Sequence, residues 1–192
     1  MVVPDPRQGK RGQLAEELVV RACTFYRSQG LALITKAPTP VTVLSGGKAF
    51  FRAKAISDFV GLVKPSIPVA LEVKSSRNAT RFRLDEEVIV PHQVAYLNDT
   101  IALGGVGAYL FLWRQGALPR CSLAPLGQVE GWVFSQSVSI PFPSLQAETW
   151  DCPFSGVMQA FDFLPGLLLL AQRPRQTRAM STALPLVGSR HG

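Results

Sequence analysis

The sequence predicts an α/β fold, a mixed central β-sheet flanked by helices, on three observations. An amphipathic helical pattern opens the chain, short apolar segments bounded by turn residues follow, and a second helical pattern separates two strongly apolar runs, VALEVKS and GAYLFLW. Helix, hairpin-connected strands, helix and strand is an order that builds a mixed sheet with helices packed on it. At 192 residues, 47% hydrophobic and 17% charged, the chain suits one ordinary domain with a real core and is not disordered in composition.

Leu14, Leu18, Ala22 and Phe25 recur every three or four residues, with Glu16, Glu17, Arg21 and Arg27 between them. That spacing predicts a helix over 12–29, stopped by Gly30. LALIT then leads into KAPTPVTVL, where Pro38 and Pro40 favour extended chain. Ser45-Gly46-Gly47 reads as a turn joining Val41–Leu44 to Ala49–Lys54 in a hairpin, or short stalk, over 42–51. ISDFVGLVK follows as a strand that turns at Gly61, and Pro68 opens VALEVKS, a central strand bounded by Ser75-Ser76-Arg77-Asn78.

The second helix takes Pro91 in its first turn, sets Val94, Leu97 and Ile101 on one side, and ends at Gly104-Gly105. GAYLFLW, 107–113, is the next buried strand. Between 115 and 170, where Pro and Gly punctuate the chain, Leu123–Phe134 and Met158–Leu164 read as short helices. The expected organisation is one domain over 1–170 and a basic, flexible tail over 171–192.

The opening MVVPDPRQGKRG has charge but no apolar core, unlike a signal peptide, and the run Phe163–Ala171 is too short for a bilayer. Cys23, Cys121 and Cys152 are dispersed and odd in number, which suggests no disulfide framework. The expectation is a soluble, cytoplasmic protein with no membrane partner. The formal charge of +7 is unevenly distributed: residues 1–84 carry 14 Lys/Arg against 5 Asp/Glu, and residues 85–172 carry 2 against 8. A basic first half suits a polyanion-binding surface, although basic proteins need not bind one.

Within VALEVKS, Glu72 and Lys74 are two residues apart and therefore share a face of the strand, opposite Leu71 and Val73. Burying either charge alone is costly. A structural ion pair at the sheet edge, a chance placement near a strand end with Lys74 reaching solvent, and a metal site all account for the pair. Asp58 favours the metal site. Thirteen residues separate it from Glu72, enough for one turn and one return strand, so the carboxylates can meet on adjacent strands. An oxygen-only donor set is hard-cation chemistry, Mg²⁺ or Mn²⁺. Such an ion acidifies bound water and polarises a phosphoryl oxygen, while a lysine stabilises developing charge. Glu16 fits a solvent-facing helix acid as well as a site residue; His92 and Gln93 fit a cap or core histidine and a surface amide equally.

The ordered set RGQLAEEL, TKAPTPV, AFFR, SDFVG, LEVKSS, FRLDE, HQ and GGVGAYLFLW resembles the RecU-type Holliday junction resolvases, a branch of the PD-(D/E)xK, restriction-endonuclease-like nucleases. The likeness covers residues 11–113, continues faintly at VSIPFPSL and AFDFL, and lapses beyond about 170. It implies a restriction-endonuclease-like core in which Asp58 and Glu72 are the principal Mg²⁺ ligands, with Mn²⁺ able to substitute. It further implies that the Val73 carbonyl completes the site and that Lys74 is the catalytic lysine. Glu16 joins through the ion or its waters, and Gln93 orients Lys74 or a phosphate. The implied partners are four-way DNA junctions and a second subunit, each subunit of the homodimer nicking one of two opposed strands.

Two departures stand out. The long basic stalk of the bacterial RecU proteins is here about ten residues, 42–51, around SGGK, and the C-terminal part matches loosely. A nuclease preferring forks, flaps or other branched DNA is therefore an alternative, as is a non-catalytic junction-binding protein. Lys36, Lys48, Arg52 and Lys54 near the hairpin, and Arg77, Arg81 and Arg83 after the central strand, suit backbone contacts that position DNA without reading bases.

Overall fold

The computed structural model describes residues 6–38, 41–43, 49–51, 57–76, 80–84, 89–115, 118–135 and 139–172. Its centre is a six-stranded mixed sheet in the order β1-β4-β5-β7-β8-β10. The strands are β1 (Ala32–Lys36), β4 (Phe59–Val63), β5 (Ile67–Ser75), β7 (Val106–Gln115), β8 (Leu118–Pro125) and β10 (Trp150–Asp151). Only β5 and β7 pair in parallel; β1–β4, β4–β5, β7–β8 and β8–β10 are antiparallel. The parallel pair needs a crossover, and helix α2 (Pro91–Ala102) provides it. The mixed α/β sheet with flanking helices is the architecture the sequence predicts.

Two cores follow from the alternation along β5 and β7. Val69, Leu71, Ala108 and Leu110 face helix α1 (Pro6–Ser28) and helix α5 (Leu164–Gln172), packing with Val19, Ala22 and Leu167. Ala70, Tyr109, Phe111 and Trp113 face the other way, against Leu97 of α2, Val129 of α3 (Leu126–Phe134) and Leu145 of α4 (Phe142–Glu148). The buried Tyr26 hydroxyl of α1 donates to Asp162 Oδ1 at 2.8 Å and accepts from the Phe163 and Leu164 N–H groups at 3.0 and 3.3 Å, tying α1 to the start of α5. Among the described residues three two-stranded ladders accompany the sheet: β2 (Val41–Val43) with β3 (Ala49–Phe51), β6 (Arg81–Arg83) with β9 (Ser139–Pro141), and β11 (Phe154–Ser155) with β12 (Ala160–Phe161).

The expected hairpin over 42–51 corresponds to β2–β3, which pair Val41 with Phe51 and Val43 with Ala49. Gly30 ends α1 at φ 64, as a stop residue requires. Several expectations are corrected. The first helix begins at Pro6 rather than near residue 12. The strand does not turn at Gly61, which pairs with both Ile34 and Val69 in mid-ladder; the turn lies at 64–66. A Cβ at Gly61 would stand 2.0 Å from the Leu33 carbonyl oxygen, so glycine is there for close approach of backbone, not for reversal. Leu123–Pro125 end β8 and the helix starts only at Leu126. Met158–Leu164 is not a helix: it holds β12, and α5 begins at Leu164. The tail, from residue 173, lies outside the described residues.

Candidate active site

The site forms where β4 stops and β5 continues. The β4–β5 ladder runs from Val63↔Ile67 to Phe59↔Leu71, and Asp58 bends away one residue beyond it. On its other edge β5 stays paired with β7 as far as Ser75↔Leu112. Past Leu71, then, the β5 backbone groups that faced β4 need new partners. Side chains supply them. The Val73 N–H donates to Asp58 Oδ2 at 2.8 Å, and the Asp58 N–H donates to Glu72 Oε1 at 3.1 Å. The Ser57 hydroxyl donates to the Leu71 carbonyl at 3.0 Å. This exchange locks both carboxylates to the strand ends. A strand residue presents its N–H and C=O on the same edge, so the Val73 carbonyl leaves β5 on the Asp58 side.

Glu72 and Lys74 share the α2 face of β5, as their spacing requires. Glu72 is 0% exposed. Lys74 Nζ donates to Glu72 Oε2 at 3.1 Å and to Gln93 Oε1 of α2 at 2.9 Å. Gln93 is itself buried, and this turns α2: its inward face is Gln93, Leu97 and Thr100, not the expected Val94, Leu97 and Ile101, and Ile101 is exposed. An ammonium has three donors, so two of those of Lys74 are fixed by protein and one is left.

Burial raises the Glu72 carboxyl above its ordinary range, and the neighbouring Asp58 charge raises it further, with Lys74 pulling the other way; the result is about 7. Two carboxylates side by side with one ammonium leave a net negative pocket that a cation relieves. Asp58, Glu72 and the Val73 carbonyl form an oxygen-only donor set at one strand edge, which fits a hard divalent cation.

The structure thus brings together Asp58, Glu72, Val73, Lys74 and Gln93. It does not bring Glu16 to them. Glu16 is ion-paired with Lys36. Lys36 continues the alternation of Ala32 and Ile34, which face α1, so this pair lies on the opposite side of the sheet from Glu72. Among the described residues, no three Asp, Glu, His or Cys side chains converge as a metal-binding group. The sequence does not single out Ser57 or Tyr109. Nothing in SDFVG distinguishes Ser57, whereas the alternation of GAYLFLW sets Tyr109 on one face and the register places it opposite Glu72.

A family model described as "Recombination protein U" matches residues 10–149. The chain belongs to the RecU family. Among similar curated proteins, the Holliday junction resolvase RecU of Staphylococcus epidermidis is 30% identical over 132 residues, covering 64% of this chain and 61% of that protein. The protein of the same name from Lactococcus lactis is 29% identical over 112 residues, 53% of this chain and 51% of the relative. That from Geobacillus sp. is 27% identical over 111 residues, 53% and 54% respectively. The chain thus spans between about half and three fifths of the length of these RecU relatives. All five site residues fall inside the matched segment, as does Glu16.

Proposed function

We propose that this chain is a structure-selective endonuclease that hydrolyses phosphodiester bonds in branched DNA, Holliday junctions above all, with Mg²⁺ or, in its place, Mn²⁺. The observation that carries the proposal is the convergence of Asp58 and Glu72 with Lys74, whose ammonium is steered by Gln93. Membership of the RecU family and the resolvase names of its relatives support the same reading.

Asp58, Glu72 and the Val73 carbonyl hold the cation. When bound, it acidifies a water and polarises the scissile phosphate. The chain's own part is orientation and charge. Asp58 stays aligned because the Val73 N–H holds one of its oxygens. Glu72 stays aligned between the Asp58 N–H and Lys74. The uncommitted donor of Lys74 points its charge at a phosphate oxygen as negative charge builds there, the type of preorganised stabilisation that lowers barriers most. Glu16 is assigned no ligand role: with Lys36 it forms an ion pair on the other side of the sheet.

Two opposed nicks need two sites, so the active species is a homodimer. The deciding experiment uses end-labelled four-way, three-way and linear DNA of equal length, with and without Mg²⁺, comparing wild type with Asp58→Asn. Paired nicks across the four-way branch, lost in the variant, are expected. Equal cutting of all three substrates would shift the assignment to a general or fork- and flap-directed nuclease, a reading favoured by the three-residue strands of the β2–β3 hairpin. Tight binding with no cut strand would leave a junction-binding protein.

A further inference from the structure

Among the described residues four buried side-chain polar atoms have no hydrogen-bond partner, Tyr109 Oη, Trp113 Nε1, Arg120 Nε and Ser122 Oγ, and of these Tyr109 is the residue paired with Glu72. Tyr109 lies directly across from Glu72 in the β5–β7 ladder and shares its face. It is fully buried, and among the described residues its hydroxyl has no hydrogen-bond partner. The ring stacks on Phe111, 5.9 Å between centroids and 16° between planes. Phe111 itself lies opposite Lys74, which makes Tyr109 and Phe111 the floor beside the acid and the ammonium.

A tyrosine placed only for packing is ordinarily a phenylalanine, because a buried hydroxyl without a partner destabilises the fold. Buried polar groups in this position commonly hold an ordered water. The surroundings suit one. Burial above all, and then the nearby charges of Glu72, of Glu130 on α3 and of Asp58, keep the phenol in its protonated, donating form. Asn98 of α2 donates to Glu130 Oε1 at 3.2 Å, closing the far side between the two helices. Glu72 also has acceptor capacity to spare: a carboxylate offers roughly four lone-pair sites, and the protein fills one on each oxygen, from the Asp58 N–H and from Lys74.

We propose that Tyr109 is a positioning residue for the cation site, its hydroxyl donating through a buried water to the Glu72 carboxylate. The link fixes the orientation of the Glu72 carboxylate, and so holds it in place for the cation. This inference rests on the metal-site reading given above and extends it to a residue outside the proposed ligand set.

Two measurements test it. In metal-free protein, thermal midpoints are compared for Tyr109→Phe, Glu72→Gln and the double variant. A bridged pair gives shifts that fail to add; additive shifts overturn the proposal, whatever the cation does. Separately, Mn²⁺ binding is followed by the loss of free-ion paramagnetic resonance for wild type, Tyr109→Phe and Asp58→Asn. Tyr109→Phe is expected to weaken binding about 10- to 100-fold, the usual effect of removing a group that orients a ligand. Unchanged affinity, with a raised midpoint, would mean that the hydroxyl is merely unpartnered. If wild type and Asp58→Asn bind Mn²⁺ equally poorly, the metal-site reading fails by itself, and the additivity measurement still decides whether Tyr109 and Glu72 are joined.

Discussion

Removing Asp58 and removing Lys74 are expected to act oppositely on the cation, although both are expected to slow cutting. Asp58→Asn takes away a ligand charge, so Mg²⁺ affinity falls by about tenfold or more. Lys74→Ala removes a positive charge 3.1 Å from Glu72, so affinity holds or tightens. Single-turnover cleavage of a labelled junction nevertheless falls by about 10²–10³-fold, the loss typical of one transition-state donor. Titration calorimetry with Mg²⁺ beside the cleavage assay checks the split. The Glu72 carboxyl makes a second prediction. Its folded value of about 7 lies above the ordinary 4.5. Between those values the folded protein keeps a proton that the unfolded chain has released, so metal-free stability falls as pH rises through the window. Urea midpoints across that range are expected to decline for wild type, to flatten with saturating Mg²⁺, and to lose this slope in Glu72→Gln. At this scale the sequence was legible where spacing dictates geometry. Glu72 and Lys74 share a face because strands alternate, and Asp58 meets them because a hairpin returns. The place of Glu16 was not legible, since a helix acid reveals nothing of which sheet face its helix covers.

Among the elements, glycines separate what packing decides from what propensity decides. Gly61→Ala forces a Cβ to within 2.0 Å of the Leu33 carbonyl in the β1–β4 ladder. It is expected to cost about 3 kcal/mol or more in denaturant unfolding, the upper range of overpacking. Gly131→Ala, in α3 with nothing within 4 Å of the new Cβ, is expected to stabilise by up to about 1 kcal/mol on helix propensity. The misplaced turn at Gly61 has the same origin: glycine punctuates a sequence whether it bends a chain or makes room for a neighbour. Leu123–Pro125 and Met158–Leu164 differ from the expected helices because short apolar runs have no decisive period. In α5, Pro165 is tolerated in the first turn and Gly166 lets Trp150 pack close, so residues that looked like interruptions are accommodated. The turned face of α2 needed the structure, because only the Lys74 contact explains a buried Gln93.

For the whole molecule, the sheet divides labour between its faces. One face, under α1 and α5, is packed with apolar side chains and crossed by the Tyr26–Asp162 link. The other holds Glu72, Lys74 and Tyr109 beneath α2 and α3. The charge asymmetry along the chain, 14 Lys/Arg against 5 Asp/Glu in residues 1–84, suits contact with phosphates. Junction binding by Asp58→Asn, which leaves DNA uncut, is therefore expected to weaken linearly in a log–log plot against salt, with little dependence on base sequence. A strong preference among sequences at fixed salt would contradict positioning by backbone contacts.

Asp58, Glu72 and Lys74 all come from the single β4–β5 hairpin, while Gln93 arrives with α2. Contacts close in sequence form early in folding, because little chain entropy is lost in closing them. The cation therefore has a foothold before the domain is complete. Mg²⁺ present during refolding is expected to raise the folding rate, whereas Gln93→Ala chiefly speeds unfolding. The charges proposed to act on DNA in the finished protein are, on the way there, a repulsion that the chain meets in the β4–β5 hairpin and that an ion in the medium is expected to remove.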